Sequence, residues 1–226
     1  MNITSKTLSS WLLILGAILT LVIWVGLEPV LVGEYNSPQE FLAKMDEAGN
    51  IGALIGLLGG TFFLVQIVGT VMFARQLGEG GSGATIGNVA AILGIILGAA
   101  ILVTNDLGLS ALAAGSAGDS DSAMVGAQVS FYTGASFGML FGLTYLCLSI
   151  PMIGQASNMF QKVLGYLLGL ITLVMIVSTV AALDLQDSIV GIIIWLGLVV
   201  VLVLTGIANL RKEWQILHNF AEKLNK

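Results

Sequence analysis

One histidine, one cysteine and thirteen carboxylates are the whole stock from which this 226-residue chain could build acid–base, nucleophilic or metal chemistry. Their positions remove most of it. His218 falls in the C-terminal tail, Cys147 has no second thiol to pair with, and every Asp, Glu, Lys and Arg lies outside the long apolar segments. A bis-histidine haem, a zinc peptidase centre or a histidine-based intramembrane protease needs histidine inside the bundle. A paired-aspartate protease needs two buried acids, and retinal linkage needs a buried lysine. Proton-coupled transport usually leaves an ionisable group in the membrane, and voltage sensing leaves arginines. None of these patterns is present, so the sequence predicts no catalytic residue, no metal and no cofactor. An enzyme acting on lipid keeps a foothold only through carboxylates at helix ends such as Glu28 and Asp184. Asp119 and Asp121 imitate the first two ligands of a calcium loop, but the third acid, central glycine and closing glutamate are missing.

What remains inside the apolar segments is neutral polarity. Thr61, Gln66 and Thr70 lie on one segment, Asn88 near the start of the next, and Gln128, Tyr132, Thr133, Ser136, Thr144 and Tyr145 on another. Amides and hydroxyls can line a pocket for a neutral or lipid-like ligand without the cost of burying charge. Gln66, Asn88, Gln128, Tyr132, Ser136, Thr144 and Tyr145 are the candidate lining. The plainer role of such residues is to tie neighbouring helices together, at roughly 0.6 kcal/mol apiece.

The elements that position them follow from composition. With 57% apolar residues, 9% charged residues and a mean hydropathy of +0.99, the chain departs from an ordinary soluble domain, which carries about 25% charge. Six segments approach the roughly 20 apolar residues a helix needs to cross a bilayer: 11–27, 51–74, 85–103, 125–150, 163–183 and 189–209. The fold class is therefore all-α, a polytopic bundle of six transmembrane helices. The first is a retained span, because no small-residue cleavage site follows it. Between the first two spans, Ser37-Pro38-Gln39-Glu40 reads as a capping box with proline at the first helical position, and Gly49 as a C-terminal stop. A short external helix over 38–48 results, either a lid over a vestibule or a connector. The Gly-, Ser- and Asp-containing stretch 104–124 reads as a flexible loop with a partial helix near 107–114. Residues 210–226 continue a helical pattern as an amphipathic tail on the anionic inner leaflet, with Trp11 and Trp214 as interfacial anchors.

Seven of the eight basic residues fall in the N-terminal tail, the second and fourth loops or the C-terminal tail; Lys44 alone lies on the other side. By the positive-inside rule both termini are cytoplasmic. The net charge of −5 is then an acidic outer surface, which argues against nucleic acid as a partner.

Small residues recur at four-residue steps. Gly52, Gly56 and Gly60 mark the second span, and Gly126, Ser130, Gly134, Gly138 and Gly142 the fourth. Gly94 with Gly98 and Gly165 with Gly169 repeat the spacing. Such stripes let a helix backbone approach closely, either within the bundle or in self-association or docking to other membrane subunits. A faint parallel repeat relates the second and fourth spans, with Gly60, Phe63 and Thr70 matching Gly134, Phe137 and Thr144 at one offset.

The run Ser37-Pro38-Gln39-Glu40-Phe41-Leu42, then Gly52-Ala53-Leu54-Ile55-Gly56-Leu57-Leu58-Gly59-Gly60 and Ala74-Arg75-Gln76-Leu77, resembles the first hairpin of a broad group of uncharacterised prokaryotic six-helix membrane proteins. The resemblance covers about a quarter of the chain and implies an inner-membrane protein of the same layout, with no activity to carry over. Together these features lead us to expect a non-enzymatic scaffold or accessory subunit, with a facilitator or binder of a small neutral or lipophilic solute as the alternative.

Overall fold

The computed structural model describes residues 4–181 and 189–224, with side chains throughout except at 134, 135, 189 and 212–224. Among the described residues there is no strand, and six helical segments are long and apolar enough to cross a membrane. The first is α1 (Ser5–Leu21), which runs through a π-helical stretch, Val22–Leu27, into the short α2 (Glu28–Leu31). Pro29 explains the irregularity. It has no amide to return to the preceding turn, and the ladder before it widens so that the Glu28 N–H reaches back five residues to the Ile23 carbonyl.

Helix α3 (Pro38–Ala48) follows, capped as its sequence predicts. Ser37 Oγ accepts from the Glu40 amide at 3.2 Å, while Glu40 Oε2 accepts from the Asn36 amide at 2.7 Å, one residue earlier than in the usual reciprocal box. Gly49, at φ +56°, ends the helix. The amphipathic pattern places Met45 inward, where it meets Ile23, Val32 and Ile55 in a small apolar cluster. Tyr35 braces the same region, edge-on to Phe41 at 5.1 Å and donating its phenol to Glu28 Oε1 at 2.6 Å. Burial and the neighbouring carboxylate hold that phenol well above its ordinary pKa, so it stays a donor.

Four further long segments complete the bundle: α4 (Asn50–Gly78), α5 (Ala84–Ser116), the pair α6 (Ser120–Tyr132) and α7 (Gly134–Gly154), and α8 (Met159–Val180), before α9 (Ile189–Leu224). They pack as a ring in chain order, α1 on α4, α4 on α5, α5 on α7, α7 on α8 and α8 on α9, and α9 returns to α1 to close it. At the closure a methyl group on Gly206 would lie 2.9 Å from the Ser10 carbonyl oxygen, so the two backbones touch. Asn209 Nδ2 donates to Ser10 Oγ at 2.9 Å across the same seam.

The stretch 104–124 differs from its reading as a flexible loop. Helix α5 runs through Ser116, and α6 starts four residues later, antiparallel to it. The Ala- and Leu-rich run 107–117 favours helix, and Gly118 takes φ +83° where the Asp119 amide bonds back to Ala114 O. Asp119 then caps α6 by accepting from the Ser122 amide at 3.1 Å, which also lowers its carboxyl pKa. Small residues fill the seam: a Cβ on Gly126 would sit 3.0 Å from Ala111 Cβ, and Ser130 donates to Thr104 O. At 33 residues α5 is about 50 Å long, well beyond the roughly 30 Å of a bilayer core, so this hairpin extends the bundle at the end that carries α3.

The span read as 125–150 is two helices in the structure. They meet at Thr133, whose hydroxyl bonds back to the Ser130 carbonyl beside Gly134, a combination that lets a helix bend. Helix α9, by contrast, is continuous through the boundary drawn at 209, and the side chains of the amphipathic tail beyond 211 lie outside the described residues.

Candidate functional site

Gln66 and Thr70 stand four residues apart on α4 and so share one face, which turns toward α7. There they meet Tyr145. Gln66 Nε2 donates to Tyr145 Oη at 3.0 Å, Tyr145 Oη and Thr70 Oγ1 lie 2.9 Å apart, and Thr70 Oγ1 donates to the Gln66 carbonyl at 3.0 Å. With the Thr70 proton spent on that carbonyl, the phenol proton goes to Thr70 Oγ1, and the three residues form a closed circuit. All three are buried, Gln66 at 2% exposure and the other two at 0%. Buried polar groups are costly unless paired, so such a circuit fixes the register of α4 against α7.

Aromatic rings wall the circuit on one side. Phe141, one turn before Tyr145, lies 4.7 Å from it, and Phe63, Phe137 and Trp195 surround Phe141 at 5.5–6.2 Å. Phe63 and Phe137, matched positions of the faint repeat, face each other at 5.6 Å. On the other side, the α1 backbone crosses α4 with no side chain between them: a Cβ on Gly16 would overlap the Gln66 backbone nitrogen, and one on Gly69 would lie 2.7 Å from the Leu13 nitrogen.

The remaining candidate lining residues are elsewhere. Thr144 is buried beside the circuit but donates to Leu140 O. Asn88 is exposed and donates to Gly78 O at 3.2 Å, at the opposite end of α5 from α3. Gln128, Tyr132 and Ser136 are exposed on α6 and α7. The structure thus brings Gln66 and Tyr145 together, adds Thr70, and leaves Asn88, Gln128, Tyr132 and Ser136 apart from them.

The glycine stripes divide in the same way. Gly52 meets Met45 and Ala48 of α3, Gly60 meets the Asn105 side chain of α5, and Gly56 has no atom within 4 Å of a Cβ built on it. On the other stripe Gly126 and Ser130 face α5, whereas Gly138 and Gly142 face Thr179 and Ile176 of α8. The surroundings of Gly134 lie outside the described residues. The tightest crossing, through Gly16, Gly59 and Gly69, falls outside both stripes. Its signal in the sequence is the small-residue seam of the first span, Ser9, Ser10, Gly16, Ala17 and Thr20, all buried.

Among the described residues no three His, Cys, Asp or Glu side chains come close enough to share a metal ion. The class these features define is an all-helical bundle with six helices able to cross a bilayer and a polar circuit sealed within it. Comparison with protein-family models, with curated proteins and with solved structures finds no match to this chain.

Proposed function

We propose that the protein is a multi-pass integral membrane scaffold or accessory subunit, without enzymatic activity, whose partners are the lipid bilayer and other membrane subunits or a second copy of itself. The observation that supports this most is the state of the bundle centre. The one polar cluster of the α4–α7 seam satisfies its own hydroxyls and is walled by Phe63, Phe137, Phe141 and Trp195, which leaves it a role in holding helices rather than in receiving a solute. The outer faces of the long helices carry large exposed apolar side chains, such as Ile92, Leu170 and Ile193, suited to acyl chains or to another apolar helix. Purification in a mild detergent tests the proposal. Stable co-purifying polypeptides or a defined homo-oligomer are expected; a monodisperse monomer retaining a bound neutral solute would replace the scaffold with a solute-binding function.

In the orientation we propose, the end bearing α3 and the α5–α6 turn faces outward and both termini face the cytoplasm, since Lys6, Arg75, Lys162 and Arg211 gather at the opposite end. A cysteine placed at Ser120 is then expected to react with an impermeant maleimide on intact cells, and one at Ser157 only after permeabilisation, both in a Cys147→Ser background. The reverse pattern would invert the topology.

A further inference from the structure

Helix α3 and the chain that leads into it meet the bundle through a small interior of their own. Its buried side chains are Ile23, Val32, Met45 and Ile55; the main core is a separate cluster, and Trp24 packs against both. The outward side of α3, with Gln39, Glu40, Asp46 and Glu47, is exposed. Among the described residues, the side-chain hydrogen bonds and ion pair of residues 28–48 stay within that segment: Tyr35 to Glu28, the cap formed by Ser37, Glu40 and Asn36, and Lys44 with Glu47 at 3.6 Å. The seams between long helices are tied differently, by bonds that cross from one helix to another, as in Gln66–Tyr145, Gln76–Ser9 and Asn209–Ser10.

Both ends of the segment are places where a helix bends easily. The π-helical stretch Val22–Leu27 precedes it, where Pro29 offers no amide to the turn before, and Gly49 at φ +56° follows it. Away from α4, α3 rests on the α5–α6 hairpin, where Phe41 Cζ lies 3.9 Å from the position a Cβ on Gly108 would take. A small interior, bonds directed inward and a pivot at each end belong to an element that opens locally while its surroundings stay folded.

We propose that residues 28–48 form a lid over the outer end of the α1–α4 seam, which lifts as one body about the π-helical stretch and Gly49 and uncovers Ile55 and Trp24. The Tyr35–Glu28 bond is its latch. It joins the two arms of the lid, α2 and the approach to α3, and the Tyr35 ring carries the connection on to Phe41. Trp24 is what the opening reaches, because its indole lies over Gly59 and edge-on to Phe63 of the main core, at 4.9 Å. The lid is independent of the scaffold proposal, since it involves neither the polar circuit nor the outer apolar faces.

The experiment follows the full chain in mild detergent by amide exchange and by maleimide labelling of Ile55→Cys in a Cys147→Ser background. Ile55 lies on α4 packed with Met45, at 4% exposure, so labelling there requires the lid to lift. In the native chain the α3 amides should exchange faster than those of α7 and α8. Tyr35→Phe removes the latch and keeps the ring, and should speed both α3 exchange and Ile55→Cys labelling by about tenfold, the worth of one hydrogen bond to a charged group. Exchange in α7 and α8 should not change. Val32→Cys, buried on the lid itself, supplies the thiol if Ile55→Cys fails to fold. Faster α3 exchange without faster labelling would mean that the helix frays in place as a connector, and the proposal would be wrong. It is equally overturned if neither rate responds, or if α7 and α8 quicken by the same factor, because the opening would then be unfolding of the whole bundle.

Discussion

Gly16→Leu is expected to prevent assembly of the bundle, and Gly16→Ala to lower its unfolding free energy by about 1–3 kcal/mol, the usual cost of overpacking a close contact. The obstruction at Gly16 is backbone: its added carbon would overlap the nitrogen and lie 2.6 Å from the Cα of Gln66, atoms that cannot swing aside like a flexible side chain. Relief requires α1 to move away from α4, and that would loosen the Gly69–Leu13 contact along the same crossing. Gly56→Ala is the matched control. It lies on the same helix as Gly69, faces open space, and exchanges glycine for a better helix former, so its stability should stay level or rise. Unfolding in mixed micelles with increasing denaturing detergent measures both. If Gly16→Ala were as stable as the native chain, the α1–α4 crossing described above would be wrong.

The second large effect is expected at Tyr145→Phe, with a loss of about 1–3 kcal/mol. The ring and its contact with Phe141 survive the change, so the loss isolates the phenol oxygen. That oxygen receives the Gln66 amide, which at 2% exposure has no water to turn to. Thr70 retains its bond to the Gln66 carbonyl and should suffer less. The double variant Gln66→Met/Tyr145→Phe removes both partners and should recover part of the loss, because an apolar pair of similar volume no longer strands an amide. A single-variant loss below about 0.5 kcal/mol, near the average of about 0.6 for polar pairs in membrane helices, would mean that the circuit contributes no more than ordinary helix glue.

The number of long apolar helices and the capped α3 were legible in the sequence because both depend on local signals: runs of apolar residues, and a Ser-Pro-x-Glu start with a glycine stop. Gln66 and Tyr145 were also singled out, but only as members of a wider polar set. Spacing along one helix cannot say which neighbour a face meets, and so it could not separate them from the exposed Gln128, Tyr132 and Ser136. The glycine stripes show the same limit. Four-residue spacing marks a groove, yet Gly56 opens on nothing while Gly16, with no four-residue glycine partner on its own helix, sits at the tightest contact with backbone among the described glycines. The stretch 104–124 misled for another reason. Its glycines and serines look like loop residues when counted, but in the structure Gly108 lies against Ser130 Oγ and Gly115 against Ala123 Cβ, where the lack of a side chain lets α5 and α6 lie close together.

The ring order has a consequence for the growing chain. Because each long helix packs on the one made just before it, most interhelical seams can form as soon as the later partner leaves the ribosome, with little loop entropy to overcome. The α1–α9 seam is the exception. Its Asn209–Ser10 bond joins positions 199 residues apart, so α1 must hold its Ser10 face unpartnered through nearly the whole of synthesis. Nascent chains stalled before α9 emerges should therefore expose that face to crosslinking by insertion chaperones, and full-length chains should not.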